Sequence, residues 1–195
     1  MQRSRISLSL VAVALLVGAA SAQVQNWNID PNHSAAQFSV RHLGISTVRG
    51  AFTKVTGTVQ YDPAHPDKTV IDASIDANSV DTRVEMRDND LRSEHFFNVA
   101  KFPALTFKSK KVEAVGDGKL KVTGDLTIRG VTKEAVLDVE GPSAAVKDPW
   151  GNMRRGASAS TKINRQDYGV SADSGMVGDE IPITIDLELT QPIAK

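Results

Sequence analysis

The sequence has 195 residues, with 23 Lys and Arg balanced by 23 Asp and Glu and no cysteine. That length suits one domain with a sizeable core, and neutrality removes the electrostatic footprint of a nucleic-acid-binding protein. Without cysteine there is no disulfide framework, thiolate metal site, cysteine nucleophile or lipidated N-terminal cysteine.

The chain opens with Met1–Ser7, which carries Arg3 and Arg5 and no acid. Leu8–Val17 is apolar apart from Ser9, and Ala20-Ser21-Ala22 precedes Gln23. A basic start, a short apolar run and small residues at the cleavage site describe a secretory signal peptide. Residues 1–22 are therefore expected to be a signal peptide and residues 23–195 one exported domain, in the periplasm. A ten-residue run with nine apolar positions is too short for a membrane span, and nothing later approaches about 18, so no integral span is expected in the mature chain.

Beyond that point the dominant signal is alternation. Ala36, Phe38 and Val40 alternate with polar residues, as do Ile71, Ala73 and Ile75. Leu105 and Phe107 flank Thr106. Leu120, Val122, Gly124, Leu126 and Ile128 form a longer series, and Ile181, Ile183, Ile185, Leu187 and Leu189 another. Period two with one apolar face predicts half-buried strands. Thr47–Tyr61, Thr132–Glu140 and Arg155–Asn164 are less regular candidates. In the first, Phe52 is out of phase with Val55, Val59 and Tyr61, which a bulge would reconcile. Turn-like separators at Gly116-Asp117-Gly118, Arg129-Gly130 and Asp148–Asn152 favour antiparallel neighbours. About eight strands of this kind predict an all-β fold, an up-and-down barrel or a sandwich.

Asp81–Val99 breaks the alternation. Thr82 and Glu85 have capping-box spacing, and Val84, Arg87, Asp88 and Leu91 follow at helical spacing. A short helical insertion is expected there. Its charged residues (Arg83, Arg87, Asp88, Asp90, Arg92 and Glu94) read first as a solvated face with internal ion pairs.

Candidate chemistry is sparse. His33, His42, His65 and His95 include no i, i+4 pair and no HExxH, so no metal site is expected. Asp30, His33 and Ser34 are close in sequence, which is not triad geometry, and there is no G-x-S-x-G elbow. No catalytic residue is assigned and no enzyme is expected. Arg49, Lys54 and the pair Arg154-Arg155 are weak candidates for holding an anion. Phe38, Phe52 and Phe107 lie in predicted strands, and Phe96, Phe97 and Phe102 surround the insertion. With Ala36, Gly50, Ala73, Gly124, Ala157 and Ala159 also inward, an eight-stranded barrel would keep room for one apolar ligand.

Several blocks resemble the YceI-like family of polyisoprenoid-binding periplasmic proteins. They include Asp30-Pro31-Asn32-His33-Ser34, Phe38–Gly44, Val48–Phe52, Arg87–Ser93, Phe96-Phe97, Gly124–Thr132, Asp148-Pro149-Trp150-Gly151, Asp167-Tyr168-Gly169 and Val177–Glu180. Their order covers nearly the whole mature chain. Asp90 and His95 depart from the family's block, where a basic and an acidic residue are expected.

The resemblance implies an eight-stranded antiparallel lipocalin-like β-barrel with a short helical insertion. It implies an isoprenoid or other long-chain amphiphilic lipid, or a quinone-like molecule, held inside with no required cofactor. The expected tunnel residues are Phe38, Val40, Phe52, Ile71, Ile75 and Phe96. Phe97, Phe107, Gly124, Leu126, Ile128 and Ile163 complete them. His42, Arg49 and Arg92 are the expected head-group contacts. Carrier, buffer and sensor roles stay open, as does a homodimer. The alternative is a stress-protective or interaction protein with a filled barrel core.

Overall fold

The computed structural model describes residues 24–193. The expected signal segment Met1–Ala22 and its cleavage site lie outside them. Twelve strands form one sheet: β1 (Gln25–Ile29), β2 (Ala35–His42), β3 (Ser46–Phe52), β4 (Val55–Tyr61), β5 (Val70–Asp76), β6 (Val80–Asp81), β7 (Ala104–Gly116), β8 (Lys119–Ile128), β9 (Val131–Glu140), β10 (Val146–Lys147), β11 (Asn152–Asn164) and β12 (Glu180–Pro192). Helix α1 spans Glu85–Arg92.

Closure follows from the pairing. β12 joins β1, then β4, β5, β7, β8, β9 and β11 follow, and β11 returns to β12. These eight staves make an antiparallel barrel, which removes the exposed sheet edges an open array would leave. The lacing is uneven. β11 and β12 pair from Asn152↔Pro192 to Asn164↔Glu180. β9 and β11 pair only through Ser158↔Glu140, Ala159↔Val139 and Ser160↔Asp138, with the Thr161 hydroxyl donating to Val136 O at 2.8 Å.

β1 and β2 both pair with β12, at Ile29↔Leu189 and Ala36↔Ile185 respectively. They are two parts of one stave, bent at Asp30–Ser34. Asp30 Oδ1 accepts from the Asn32 N–H at 2.9 Å there, the Asx turn that Asp-Pro-Asn favours. β3 pairs with β2 on one side and β6 on the other.

The expected strand Thr47–Tyr61 is two strands rather than one with a bulge. Phe52 ends β3 and Val55 begins β4, and their phases differ because the strands pair with different neighbours. At the break, the Thr53 N–H donates to Ser79 O and the Lys54 N–H to Ser79 Oγ. Thr82 does not cap α1 either. Its N–H and hydroxyl both donate to Asp88 Oδ1, and the Arg87 Nε donates to Thr82 Oγ1 at 2.8 Å. The expected ion pairs on this face give way to hydrogen bonds. Arg92 donates to Asn78 O, Val80 O and Asn89 Oδ1.

Arg129-Gly130 joins β8 to β9 with positive φ at both residues, 50° and 76°. A two-residue hairpin needs that geometry to match strand twist. Arg129 donates from there to Gly169 O and Glu94 O, tying the insertion and the 165–179 loop to the same barrel end.

Candidate functional site

Inward positions follow one phase on each stave. On β12 they are Ile181, Ile183, Ile185, Leu187 and Leu189, and on β11 Ala157, Ala159, Thr161 and Ile163. Phe38 and Val40 of β2, Val55 and Val59 of β4, and Ile71, Ala73 and Ile75 of β5 close the circle with Phe107, Leu126 and Ile128. Together they bound an interior cavity of about 200 Å³ whose exposed lining is almost wholly apolar. For scale, an apolar cavity of about 150 Å³ stays dry and takes up benzene.

At the end carrying the insertion, Leu91, Phe96 and Phe97 line the cavity, with Tyr168 and Val170 from the 165–179 loop. Aromatic contacts run between them. Phe38 and Phe52 lie 5.7 Å apart, and Phe52 meets the edge of Phe97 at 5.3 Å. Small residues, not a break in the wall, leave the space open: Ala36, Ala73, Ala157 and Ala159 all border it.

Eleven of the expected tunnel residues line this cavity: Phe38, Val40, Phe52, Ile71, Ile75, Phe96, Phe97, Phe107, Leu126, Ile128 and Ile163. Gly124 faces inward but does not border the space. The Phe107 ring covers it, 2.5 Å from where a Cβ would sit. The expected head-group residues lie elsewhere. Arg92 is committed to carbonyls outside the cavity, Arg49 is exposed on the opposite phase from Val48 and Gly50, and His42 is exposed where β2 ends against Val177.

Sequence reasoning gave Arg165, Tyr168 and Val170 no place at the cavity. Arg165 is 5% exposed and donates to Val170 O, Ala172 O, Val177 O and Gly178 O, with Asp179 at 3.1 Å. It knits the loop together and has little left for a ligand. Burial, aided by Asp167, pushes the Tyr168 phenol up. No periodicity marks these residues, because loop positions are set by tertiary contacts.

Outside the wall, Arg154 meets three carboxylates. It donates to Asp148 Oδ2 at 2.7 Å, Asp30 Oδ2 at 2.9 Å and Glu188 Oε1. Burial pushes the Asp148 carboxyl up. Hydrogen bonds from Arg154, Asn152 and the Trp150 N–H outweigh it and hold the group well below the usual carboxylate range. Asp30 is lowered likewise, with burial opposed by His33, the Asn32 N–H and Arg154. Asp30, His33 and Glu188 are close enough to share an ion, and so are Asp90, His95 and Asp173. In the first group the Arg154 guanidinium already supplies the positive charge. In the second, His95 Nδ1 lies 3.1 Å from Asp90 Oδ1, so the two departures from the family block pair with each other.

Next to the base of the cavity, behind Val59, Ala157 and Leu189, lies a layer of another kind. Arg155 lies one inward step beyond Ala157 on β11, opposite Leu189. Its guanidinium sits 5.0 Å from the Trp27 ring centroid and 5.4 Å from that of Tyr61.

Comparison with known proteins agrees with this architecture. The YceI-like domain family matches residues 27–189. Protein YceI of Salmonella arizonae is 35% identical over 191 residues, 98% of this chain and 99% of that protein. The crystal structure of the Campylobacter jejuni YCEI protein superposes with a TM-score of 0.68 at 35% identity, covering 78% of this chain and 90% of that one. Burkholderia cenocepacia BcnA gives 0.71 at 24% identity, over 82% and 98%. A polyisoprenoid-binding domain from Saccharophagus degradans gives 0.63 at 17% identity, over 87% and 100%. These last two likenesses speak to the fold.

Proposed function

The chain belongs to the YceI-like family, and from that premise we propose that it is an exported, non-catalytic protein that holds an isoprenoid or similar long-chain amphiphile inside its barrel. The observation that carries this reading is the apolar cavity, bordered by β12 from Ile181 to Leu189. That is about 26 Å of strand at about 3.3 Å per residue, a shape suited to an extended chain. Each buried CH₂ contributes up to ~0.8 kcal/mol before ordering costs, so roughly ten suffice for micromolar binding. The ligand class rests on the apolar, elongated cavity; the Saccharophagus degradans polyisoprenoid-binding domain shares the fold. Export rests on the Met1–Ala22 signal, and a role as carrier, buffer or sensor would follow from the same binding.

Mass spectrometry of an organic extract of the native protein tests this reading. A stoichiometric prenyl or other long alkyl chain is expected. Repeated recovery of no lipid, with no uptake of added prenol, would overturn it in favour of a filled core.

A further inference from the structure

We propose that Arg155, with Trp27, forms a head-group subsite at the base of the cavity that takes an anionic oxygen, a carboxylate or a phosphate monoester, at the end of an apolar chain. The proposal rests on the lipid-binding reading above and adds to it the position and charge of the ligand's polar end.

Arg165 is saturated by four carbonyls and Asp179. Arg129 also leaves its Nε buried without a partner, but it gives both terminal nitrogens to carbonyls. Arg154 faces the other way and meets three carboxylates. The Arg155 guanidinium makes a single hydrogen bond and lies against two aromatic rings. Its Nη1 donates to Ser143 O at 2.6 Å, and no carboxylate among the described residues lies within ion-pair distance. Its Nε is buried without a hydrogen-bond partner. An arginine keeps its charge in any protein environment, so this is a partly buried cation balanced by two aromatic faces.

Trp27 supplies the second, independent observation. It is 1% exposed, and its indole Nε1–H also lacks a partner. Tryptophan is tolerated in a core when its N–H finds an acceptor, and native proteins rarely leave such donors unpaired. Here two unpaired donors and an uncompensated charge share one layer of the barrel.

That layer adjoins the cavity. Trp27 pairs with Val59, Tyr61 lies one inward step beyond Val59, and Arg155 lies opposite Leu189. Val59, Leu189 and Ala157 border the space. A chain whose end passes between Val59, Ala157 and Leu189 would bring its terminal oxygens to these donors. A carboxylate or phosphate supplies the missing acceptors and the missing charge together, whereas an alcohol supplies only an acceptor.

The test compares farnesol, farnesoic acid and farnesyl phosphate, which share one hydrocarbon chain, in titrations with the delipidated mature protein. The acid, the phosphate or both should bind about ten- to hundredfold tighter than farnesol, the range of a charge-assisted hydrogen bond. The better of the two identifies the source of the anion. Arg155→Met should erase this advantage and leave farnesol affinity within a few-fold. Trp27→Phe keeps the aromatic face and removes only the N–H. It should reduce the anion's advantage several-fold, and it serves if Arg155→Met does not fold. Binding of all three probes with equal affinity overturns the subsite and leaves the lipid-binding reading intact. An anion advantage that survives both substitutions also overturns it and assigns the head group to the rim. Failure of every probe to bind overturns both.

Discussion

Arg154 and Arg155 are neighbours in the chain and point to opposite faces of β11. Arg154 gathers Asp30, Asp148 and Glu188 on the outside, and Arg155 stacks between Trp27 and Tyr61 within. The outer residue fastens four segments of chain: the β1–β2 bend, the loop before β11, β11 and β12.

Replacing Arg154 by Met should leave three carboxylates crowded together and lower the melting temperature by several degrees near neutral pH. The pH dependence has a definite sign. Asp30 and Asp148 titrate lower in the folded chain than the ordinary carboxylate value of about 4. Their stabilisation is therefore complete above that value and fades as the pH falls towards their folded values. The melting gap between wild type and variant should be widest above about pH 5 and narrow below about pH 4. A gap that stays constant with pH would separate Arg154 from these carboxylates.

Asp88 is buried and accepts both the N–H and the hydroxyl of Thr82. Asp88→Ala leaves those donors unpaired, at a cost of about 1–3 kcal/mol. Because Leu91, Phe96 and Phe97 follow it into the cavity lining, limited proteolysis should cut first within residues 82–99. Denaturant titration checks the magnitude, and peptide mapping checks the place.

Ala157 and Gly124 both face inward and should respond differently to enlargement. Ala157 borders free space, so Ala157→Leu should block prenol uptake with little change in melting temperature. A side chain at Gly124 would meet Lys108 O at 2.4 Å and the Phe107 ring at 2.5 Å. Gly124→Leu should therefore overpack the wall and destabilise by typically about 1–3 kcal/mol. Paired melting and binding measurements on the two variants distinguish these outcomes.

The mature protein should begin at Gln23, since Ala20 and Ala22 suit a signal-peptidase site. Intact mass of the exported form checks this. A mass that retains Met1–Ala22 would indicate an anchored protein.

Alternation in the sequence made the walls legible. The inward phase of β2, β5, β8 and β12 can be read from the positions of Phe38, Ile71, Leu126 and Ile183, because each faces apolar contents on one side and water on the other. Composition could not distinguish β3 from β4, since a change of phase looks alike whether it comes from a bulge or from a new strand. β1 and β6 escaped notice because five- and two-residue segments carry too little period. Arg155 was visible only as one of a weak pair. Ala157 and Ala159 set the inward phase of β11 and put Arg155 in it, but a cation at the end of an apolar series reads first as the point where the wall stops, and only the positions of Trp27 and Tyr61 give it a place within.

The short pairing of β9 with β11 has a mechanical consequence. A cylinder is only as tight as its thinnest stitching. The β1–β12 ladder has two rungs, but β2 adds four on the same stave, so among the described residues the three rungs and one hydroxyl between β9 and β11 are the thinnest join between two staves. In engineering terms the molecule is a sheet rolled into a tube and held by a clasp at Ser158, Ala159 and Ser160. Thermal breathing should concentrate at the clasp, so exchange of the amide hydrogens across these rungs reports on closure of the whole tube.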